Sequence, residues 1–459
     1  MTDVRYDALI SSYRDGEIDR RTFLVRAAAL GVSVVAAQAA ISSGVSAQEG
    51  SPVAEGGELS PDMFGVAGVE HVTDTSKGTI NLYSSWPMTG ASEQIGGDSA
   101  EAVRFAVEIW GNAAGGFAIN YEALDDGIAA NNGSWDAAKE VENATMVVND
   151  PDAVAYIATY NSGAAEASIP VTNEAGMAQI APSNTAVALT KESPTNPEGY
   201  PEVLYPTGER NYMRVCPADD IEGSAGASYA YSGLGATTAY VLHDNQTYGL
   251  GVAQEFSDTF EALGGEVLGF EAFDANAPEY QALMTRIAST GPAIVYLGAI
   301  VNLNASKLVQ DMRLQMPADQ VAFMGPSGLI NQEFIDGAGG AAEGAYITFG
   351  GLPPSELVGR GGAGAQWYEA IVERLGREPD SYAIQSFDCA VCVLQAIDIV
   401  GEKDRAAILD TMFNTEEFRG LIGTWSFDEN GDTTLGTISL NTVQDGQIIF
   451  QDVITPPEG

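Results

Sequence analysis

Two successive series of short apolar strands and amphipathic helices run through this chain of 459 residues. The first series begins at Thr79 and the second at Thr238. Strands that are joined through a helix lie parallel, because the crossover returns the chain to the same end of the sheet. The pattern therefore predicts an α/β protein with two doubly wound parallel sheets, each carrying helices on both faces.

The individual elements follow from the spacing of the apolar residues. Apolar side chains at helical spacing, such as Ala102, Phe105 and Ala106, predict one buried helical face. We predict strands at residues 79–83, 119–124, 153–158, 179–182, 238–243, 266–272, 293–297 and 321–324. We predict helices at residues 99–110, 135–148, 250–263, 279–289, 306–313 and 381–400.

Uncharged polar or aromatic side chains follow several of the predicted strands. In open parallel sheets, ligands bind beyond the carboxyl ends of the strands. Hydrogen-bonding groups and ring faces at those ends are what a small-molecule cleft requires. The segments concerned are Ser84-Ser85-Trp86, Tyr160-Asn161-Ser162, Ser183-Asn184-Thr185, Tyr248 and Ser327.

The composition excludes several classes of protein. The formal net charge is -43, from 63 acidic and 20 basic residues. This balance excludes a general nucleic-acid binder and a protein that is held by charge on an anionic membrane. Because 45% of the residues are hydrophobic, the chain is not a disordered one.

Cys389 and Cys392 have the C-x-x-C spacing of metal and redox sites. They lie in the predicted helix 381–400, and no second pair completes a set of four zinc ligands. We therefore expect both thiols to pack in the core, and we expect no metal and no cofactor.

The first 76 residues are predicted to be an export signal and a linker. Arg20-Arg21, followed by an Ala-rich apolar run, resembles a twin-arginine signal that ends at residue 47. Export to the periplasm or the cell exterior is therefore expected, and a retained membrane anchor is the alternative. Residues 48–76 lack periodicity and predict a linker, with the folded part starting near Lys77.

Eight short segments follow one another in a characteristic order across residues 77–450. They are Pro87-Met88-Thr89-Gly90 with Gly96-Gly97; Leu124-Asp125-Asp126; Ala181-Pro182-Ser183-Asn184-Thr185; His243-Asp244 with Tyr248-Gly249; Phe323-Met324-Gly325-Pro326; Glu343-Gly344; Pro379-Asp380-Ser381-Tyr382-Ala383; and Gly423-Thr424-Trp425-Ser426-Phe427-Asp428. This order resembles the periplasmic solute-binding proteins of the Leu/Ile/Val type, which serve ABC importers.

The resemblance implies two lobes joined by a hinge that the chain crosses three times. The crossings are expected near residues 216–218, 349–351 and 431–435. Lobe 1 then comprises residues 77–217 and 350–432, and lobe 2 comprises residues 218–349 and 433–459.

The resemblance also implies a function, that of a monomeric substrate-binding subunit of an ABC importer. Such a subunit closes its lobes on a small polar ligand and delivers it to a membrane permease. A ligand sensor that presents its bound state to a membrane receptor is the alternative. A secreted hydrolase is less favoured, because the chain has two histidines and no G-x-S-x-G, H-E-x-x-H or phosphate-loop pattern.

The ligand-binding residues of the family are carried over one position at a time. Ser162 matches the Ser that grips the ligand carboxylate, and Tyr248 matches the Tyr of the second lobe that closes over the ligand. In the family, a loop that follows this Ser and precedes this Tyr in the sequence also binds the ligand, through backbone groups and a hydroxyl. Ser183 and Thr185 match that loop. For the aromatic residue of the first loop, the aligned position is Ile95, and Trp86 is a nearby substitute.

Simpler roles remain open for these residues. Trp86 and Tyr248 also fit a role as core aromatics, and Ser162 and Thr185 fit a role as helix caps.

Two positions depart from the family pattern. A second Tyr of the family falls near Ile300, and the acid that pairs with the ligand's ammonium group falls at Ser327. Because a buried ammonium without a carboxylate partner is costly, an amide, a urea-like compound or a carboxylate is favoured over a standard α-amino acid. Amino acids stay an alternative ligand class, because three acids predicted to lie near the first crossing could pair with the ammonium group: Asp219, Asp220 and Glu222.

Overall fold

The computed structural model describes residues 59–193 and 196–457. The predicted signal, residues 1–47, and the first part of the predicted linker lie outside these ranges.

A six-stranded sheet forms the centre of the first lobe. Its strands are β1 (Thr79–Trp86), β2 (Ala113–Ala114), β3 (Phe117–Asp125), β4 (Ala153–Ala158), β5 (Ala178–Ala181) and β6 (Tyr212–Arg214). Their order is β2-β3-β1-β4-β5-β6. All neighbours are parallel except the short β2, which is antiparallel to β3.

A seven-stranded sheet forms the centre of the second lobe. Its strands are β7 (Thr238–His243), β8 (Glu266–Ala272), β9 (Ile294–Gly298), β10 (Ala322–Gly325), β11 (Tyr346–Phe349), β14 (Ile438–Gln444) and β15 (Gln447–Ile454). The order is β15-β14-β11-β10-β9-β7-β8, with β14 and β15 antiparallel to their neighbours. The pair β12 (Phe418–Arg419) and β13 (Thr424–Trp425) forms a separate hairpin.

Twelve α-helices lie within the described residues. They are α1 (Glu93–Ile109), α2 (Ala137–Asn149), α3 (Ser162–Glu174), α4 (Asp219–Ser228), α5 (Thr247–Ala262), α6 (Gln281–Thr290), α7 (Ala305–Gln315), α8 (Gln332–Ala338), α9 (Glu356–Arg360), α10 (Gly362–Leu375), α11 (Ala383–Val400) and α12 (Arg405–Phe413).

The prediction of two doubly wound lobes is confirmed, and every predicted strand and helix is present. The largest shift is at the start of α1, which begins at Glu93 rather than at residue 99. The second sheet is mixed rather than purely parallel, because the chain ends in the antiparallel pair β14 and β15. Helix α3 has no counterpart among the predicted elements, and it contains Pro170 in its interior.

Helix α11 is the central helix of the first lobe. Fifteen consecutive residues from Ala383 to Ile397 are buried in it, including Cys389 and Cys392. Both thiols are free, which confirms the expected core packing. The helix is long and apolar enough to cross a membrane, but 83% of it is buried inside the protein, as in a core helix.

Residues 59–76 pack against the first lobe, and the predicted linker is wrong for this part. The Phe64 ring is buried and meets Phe387 of α11 edge to face. Gly65 pairs its backbone with Arg419. The Asp398 carboxylate accepts hydrogen bonds from Val72 N and Gly115 N. A few buried anchors therefore hold a segment that lacks sequence periodicity.

The Arg214 side chain ties two of the three connections between the lobes to the first sheet. Arg214 ends β6 just before residues 216–218, and it is fully buried. Its Nε lies 2.7 Å from the carboxylate of Asp432, which stands in the third connection. Its other nitrogens donate to Asn184 O, Ala186 O and Thr190 Oγ1.

The neighbouring cations keep the Asp432 carboxylate ionised. Burial by itself raises the pKa of Asp432, but Arg214 and Lys191 outweigh that effect and lower the pKa to about 2. Lys191 Nζ lies 3.0 Å from Asp432 Oδ2. The pair is therefore ionised in the folded protein throughout the neutral range.

We expect Asp432→Asn to lower the free energy of unfolding by about 3 to 5 kcal/mol, because it leaves the buried Arg214 charge uncompensated. Urea denaturation at pH 7 measures this change. Asp152→Asn is the control, since its ion pair with Lys403 is largely exposed and is worth less than about 1 kcal/mol. Equal effects of the two variants would contradict the assigned role of Arg214.

The same pair predicts a pH dependence. The folded-state pKa of Asp432 lies below that of an unfolded Asp, so its stabilisation is complete above about pH 5 and is lost as the pH falls toward 2. The stability difference between the wild type and Asp432→Asn should therefore shrink by about 2 kcal/mol over that range. A difference that stays constant from pH 5 to pH 2 would argue against it.

Candidate ligand-binding site between the lobes

A small cavity lies where the strand ends of the two sheets face each other. With the lobes in this position, its volume is about 20 Å³. The predicted residues Ser162, Ser183 and Tyr248 line it, which brings both lobes together at one site. The other lining residues are Tyr160, Asn161, Ile300, Gly328 and Tyr382.

The wall on the first lobe is built by the loops after β4 and β5. Ser162 is the first residue of α3, and its Oγ accepts a hydrogen bond from Ala186 N at 3.3 Å. Ser183 Oγ donates to Tyr160 O at 3.0 Å. The Asn161 side chain precedes α3 without capping it. The start of α3 therefore offers the partial positive charge that attracts a carboxylate.

The wall on the second lobe is built around the Tyr248 hydroxyl. Tyr248 lies in the first turn of α5, and its hydroxyl accepts a hydrogen bond from Gly328 N at 2.9 Å. The same hydroxyl lies 3.1 Å from Ser327 Oγ. Burial raises the pKa of Tyr248 and the nearby Glu222 raises it further, so the phenol stays neutral. These bonds hold the ring at the cavity although part of its surface remains exposed.

Ser327 is bound from behind by a buried carboxyl group. Glu222 of α4 accepts from Ser327 N at 2.7 Å, from Ser327 Oγ at 2.8 Å and from Thr348 Oγ1 at 2.7 Å. Burial raises the pKa of Glu222, and these three hydrogen bonds act against that rise. An acidic residue therefore does lie beside Ser327. It is Glu222, which belongs to α4 and not to the loop after β10.

A second small cavity of about 10 Å³ adjoins the first and shares Tyr160, Asn161, Ile300 and Gly328 with it. Its remaining wall is lined by Pro87, Ser92, Ile95, Val301 and Asn302. Both cavities are lined by a mixture of polar and apolar residues, which suits a ligand with a polar head and a small apolar group.

The structure places three of the predicted site residues, Trp86, Thr185 and Ser327, outside the linings of these cavities. Ser327 directly precedes the lining residue Gly328 and contacts Tyr248. Trp86 is fully buried in the core of the first lobe, because β1 continues through it to its end. Ile95, the directly aligned position, lines the second cavity instead. Thr185 is fully buried behind the Ser183 wall, and its hydroxyl has no hydrogen-bond partner among the described residues.

Sequence reasoning assigned no role to several lining residues. Tyr160 and Asn161 belong to a segment that was expected at a strand end, but only Ser162 was selected from it. Tyr382 precedes α11, and its ring meets Tyr160 edge to face at 5.4 Å. The predicted helix 381–400 includes Tyr382, whereas the observed helix begins one residue later, and the contact with the loop after β4 depends on the tertiary fold.

Two hydrogen bonds join the lobes beside the cavity. Thr247 Oγ1 of α5 donates to Glu166 Oε2 of α3 at 3.0 Å. Asn302 Nδ2 of the second lobe donates to Ser92 Oγ of the first at 3.0 Å. Neither Thr247 nor Glu166 lines the cavity. The bond between Thr247 and Glu166 therefore joins the lobes away from the first cavity, whereas Ser92 and Asn302 also line the second cavity.

A family model for periplasmic binding proteins matches residues 80–447. The chain therefore belongs to the periplasmic binding protein family. Leu/Ile/Val-binding protein homolog 1 of Brucella abortus (strain 2308) is 26% identical over 76% of this chain and 86% of that protein. A leucine-, isoleucine-, valine-, threonine-, and alanine-binding protein of Pseudomonas aeruginosa is 26% identical over 77% of this chain and 87% of that protein.

Solved structures share the two-lobed fold. The crystal structure of a leucine binding protein from Thermotoga maritima MSB8 superposes with a TM-score of 0.71 and 24% sequence identity. The match covers 82% of this chain and 99% of the other. The type I periplasmic binding fold with its two lobes is thereby confirmed.

We expect Thr247→Val to favour the open arrangement of the lobes, because it removes one hydrogen bond that exists only when they meet. Small-angle X-ray scattering of the ligand-free protein should give a larger radius of gyration than for the wild type. The matched control is Thr259→Val, whose hydroxyl bonds Ser224 within the second lobe. The same radius for all three proteins would contradict a role of the Thr247–Glu166 contact in closure.

Proposed function

We propose that this protein is the extracytoplasmic substrate-binding subunit of an ABC importer, which encloses a small polar ligand between its lobes and delivers it to a membrane permease. The observation that carries the proposal is the cavity at the facing strand ends, lined by Ser162 and Ser183 from one lobe and Tyr248 from the other. A ligand in this cavity contacts both lobes at once. Contacts that exist only in the closed form bias the hinge toward closure.

The chemistry of the cavity supports a ligand with a carboxylate or another hydrogen-bond acceptor. The Ser162 hydroxyl and the start of α3 offer donors and a favourable helix dipole. Ile95 and Ile300 in the adjoining cavity support a small apolar group on the same ligand. Amino acids, aliphatic amides and simple carboxylates meet both requirements, and urea-like compounds meet the first.

The relatives favour amino acids within that range. Proteins named for binding leucine, isoleucine, valine, threonine and alanine match most of this chain at 26% identity. The charge of -43 also suits a protein that works in solution outside the membrane. The proposed location is the periplasm or the cell exterior, and the proposed partner is a permease.

A thermal-shift screen tests the proposal. Amino acids, their amides, urea and aromatic carboxylates are added singly, because a ligand that binds only the folded state raises the melting temperature. At least one of these compounds should raise it in a concentration-dependent way. If no compound in the screen changes the melting temperature, the proposed function is wrong.

Ser162→Ala is expected to weaken binding of the compound that this screen identifies. Loss of one hydrogen bond at the start of α3 costs about 1 kcal/mol or more, which is a roughly fivefold or larger rise in Kd. Isothermal titration calorimetry measures it. Ser168→Ala is the matched control in the same helix. Ser168 forms hydrogen bonds with Gln179 and Ala164 in the interior and does not line the cavity, so its replacement should lower stability and leave the affinity unchanged. Unchanged affinity in Ser162→Ala would remove this residue from the site.

A further inference from the structure

Two buried carboxyl groups lie close together at the carboxyl edge of the sheet in the first lobe. Asp126 directly follows β3 and Glu140 lies in α2, and both residues are fully buried. Neither carboxyl oxygen of Asp126 has a hydrogen-bond partner among the described residues. A buried carboxylate without a partner is costly to keep ionised, so the presence of this pair calls for a physical reason.

Glu140 is held in place by two hydroxyl donors. Ser85 Oγ of β1 donates to Glu140 Oε2 at 2.6 Å, and the Tyr156 hydroxyl of β4 donates to Glu140 Oε1 at 3.0 Å. Asn143, one turn later in α2, donates to Ser85 Oγ at 3.1 Å. The Glu140 carboxyl group therefore bridges two neighbouring strands of the sheet, and its position is fixed by both.

No cation of the described chain forms an ion pair with either of these acids. Lys139, the basic residue of the same helix, pairs with the exposed Glu142 instead. The titratable groups that face the pair are Asp125 at the end of β3, Asp136 before α2 and Tyr156 of β4. From β1 and α3 the pair is faced by serine hydroxyls. These neighbours are acids or neutral groups, so they do not offset a negative charge on the pair.

The protonation of the pair follows from this environment. Burial raises the pKa of Glu140 to about 7, although its hydroxyl donors act against that rise. Burial raises the pKa of Asp126 well above its ordinary value, and the charge of Glu140 raises it further. Two neighbouring acids lose their protons in separate steps, because the first negative charge opposes the second. The pair therefore holds protons at mildly acidic pH and releases at least one of them to water as the pH passes through neutrality.

One loop connects the pair to the wall of the ligand cavity. Asp136 N donates to Asp126 O at 2.8 Å, which closes the loop between them. Trp135 of that loop packs on Gly163, the second residue of α3, where a Cβ would lie 2.4 Å from Trp135 Cζ2. The residue before Gly163 is Ser162, which begins α3 and lines the cavity. The pair therefore lies behind the helix start at which a ligand carboxylate is proposed to bind.

We propose that Asp126 and Glu140 form a buried proton-binding pair that makes the affinity for carboxylate ligands depend on pH. While the pair is protonated, the start of α3 presents its full positive potential to the ligand. Loss of a proton places a negative charge in the interior behind that helix start, where charges interact more strongly than in water. Carboxylates then bind more weakly above neutral pH, whereas neutral amides of the same shape do not. This inference rests on the proposed function and adds a dependence on the external pH to it.

Isothermal titration calorimetry at pH 5.5 and at pH 8 tests the inference. The probes are benzoate with benzamide, 3-methylbutanoate with 3-methylbutanamide, and leucine. Each acid and its amide have nearly the same shape and differ in charge. For a carboxylate or leucine that binds, the Kd of the wild type should rise by about threefold to tenfold between the two pH values, as expected for one buried charge nearby. The Kd of an amide should stay constant.

Three variants make the test specific. The double variant with Asp126→Asn and Glu140→Gln should have the same Kd at both pH values, because neither group can ionise, and any titration of the ligand itself cancels in this comparison. Glu142→Gln is the matched control in the same helix, since Glu142 is exposed and pairs with Lys139; it should keep the wild-type dependence. Tyr156→Phe removes a donor that stabilises the ionised Glu140, so the loss of affinity should move to a higher pH, which gives a result even if the double variant does not fold.

The ligand-free protein provides a second measurement. A group whose pKa is raised by folding stabilises the folded state below its unfolded pKa, and this stabilisation is lost as the pH rises through the folded pKa. The melting temperature of the wild type should therefore fall, relative to that of the double variant, between pH 5 and pH 8. A constant difference would contradict the assignment of the buried protons to this pair.

The outcomes separate this inference from the proposed function. If a carboxylate or leucine binds with the same Kd at both pH values, or if the double variant keeps the wild-type dependence, the inference is refuted and the binding function stands. If only amides bind, the result is the same. If none of the five probes binds, the inference fails, and the wider thermal-shift screen decides the proposed function separately. A dependence that is lost in the double variant and kept in Glu142→Gln supports the inference.

Discussion

The segments around the hinge are held together by the ion pair and the hydrogen bonds of the buried Arg214 guanidinium. Its five donors lie in one rigid plane, and they meet Asp432 on one side and the loop that contains Asn184 and Ala186 on the other. The loop that carries Ser183, the end of β6 and the third connection between the lobes are therefore held in one place. A desolvated charge of this kind tolerates few alternative arrangements, because each lost hydrogen bond leaves a buried donor unpaired.

The cleft follows from the topology of the two sheets. Parallel strands bring their carboxyl ends to one edge, and the hinge turns the two edges toward each other. Small hydroxyl residues and ring faces occupy those edges, and their hydrogen bonds cross from wall to backbone rather than from lobe to lobe. The bond from Gly328 N to the Tyr248 hydroxyl and the bond from Ser183 Oγ to Tyr160 O are of this kind. Closure is supported separately, at the rim, by contacts such as that of Thr247 with Glu166.

Acidic residues serve two different purposes in this molecule. Most of the charge of -43 is compatible with a solvated surface, where carboxylates cost little. A few carboxyls are fully buried, and they differ in how they are satisfied. Glu140 accepts from Ser85 and Tyr156, and burial raises its pKa to about 7. Glu222 is satisfied by Ser327 and Thr348, whereas Asp219 is not satisfied within the described chain. Burial alone therefore does not identify a functional acid.

The sequence by itself determined the two series of strands and helices, because apolar periodicity reports which face of each element is buried. Ser162, Ser183 and Tyr248 were chosen from the resemblance to the family, and their places after predicted strands agreed with that choice. The tertiary structure alone decided that Trp86 belongs to the core and that residues 59–76 pack on the first lobe, because both outcomes depend on contacts between segments far apart in the chain. It also decided that an acid lies behind Ser327. That acid belongs to α4, about a hundred residues earlier, and only folding brings α4 beside β10.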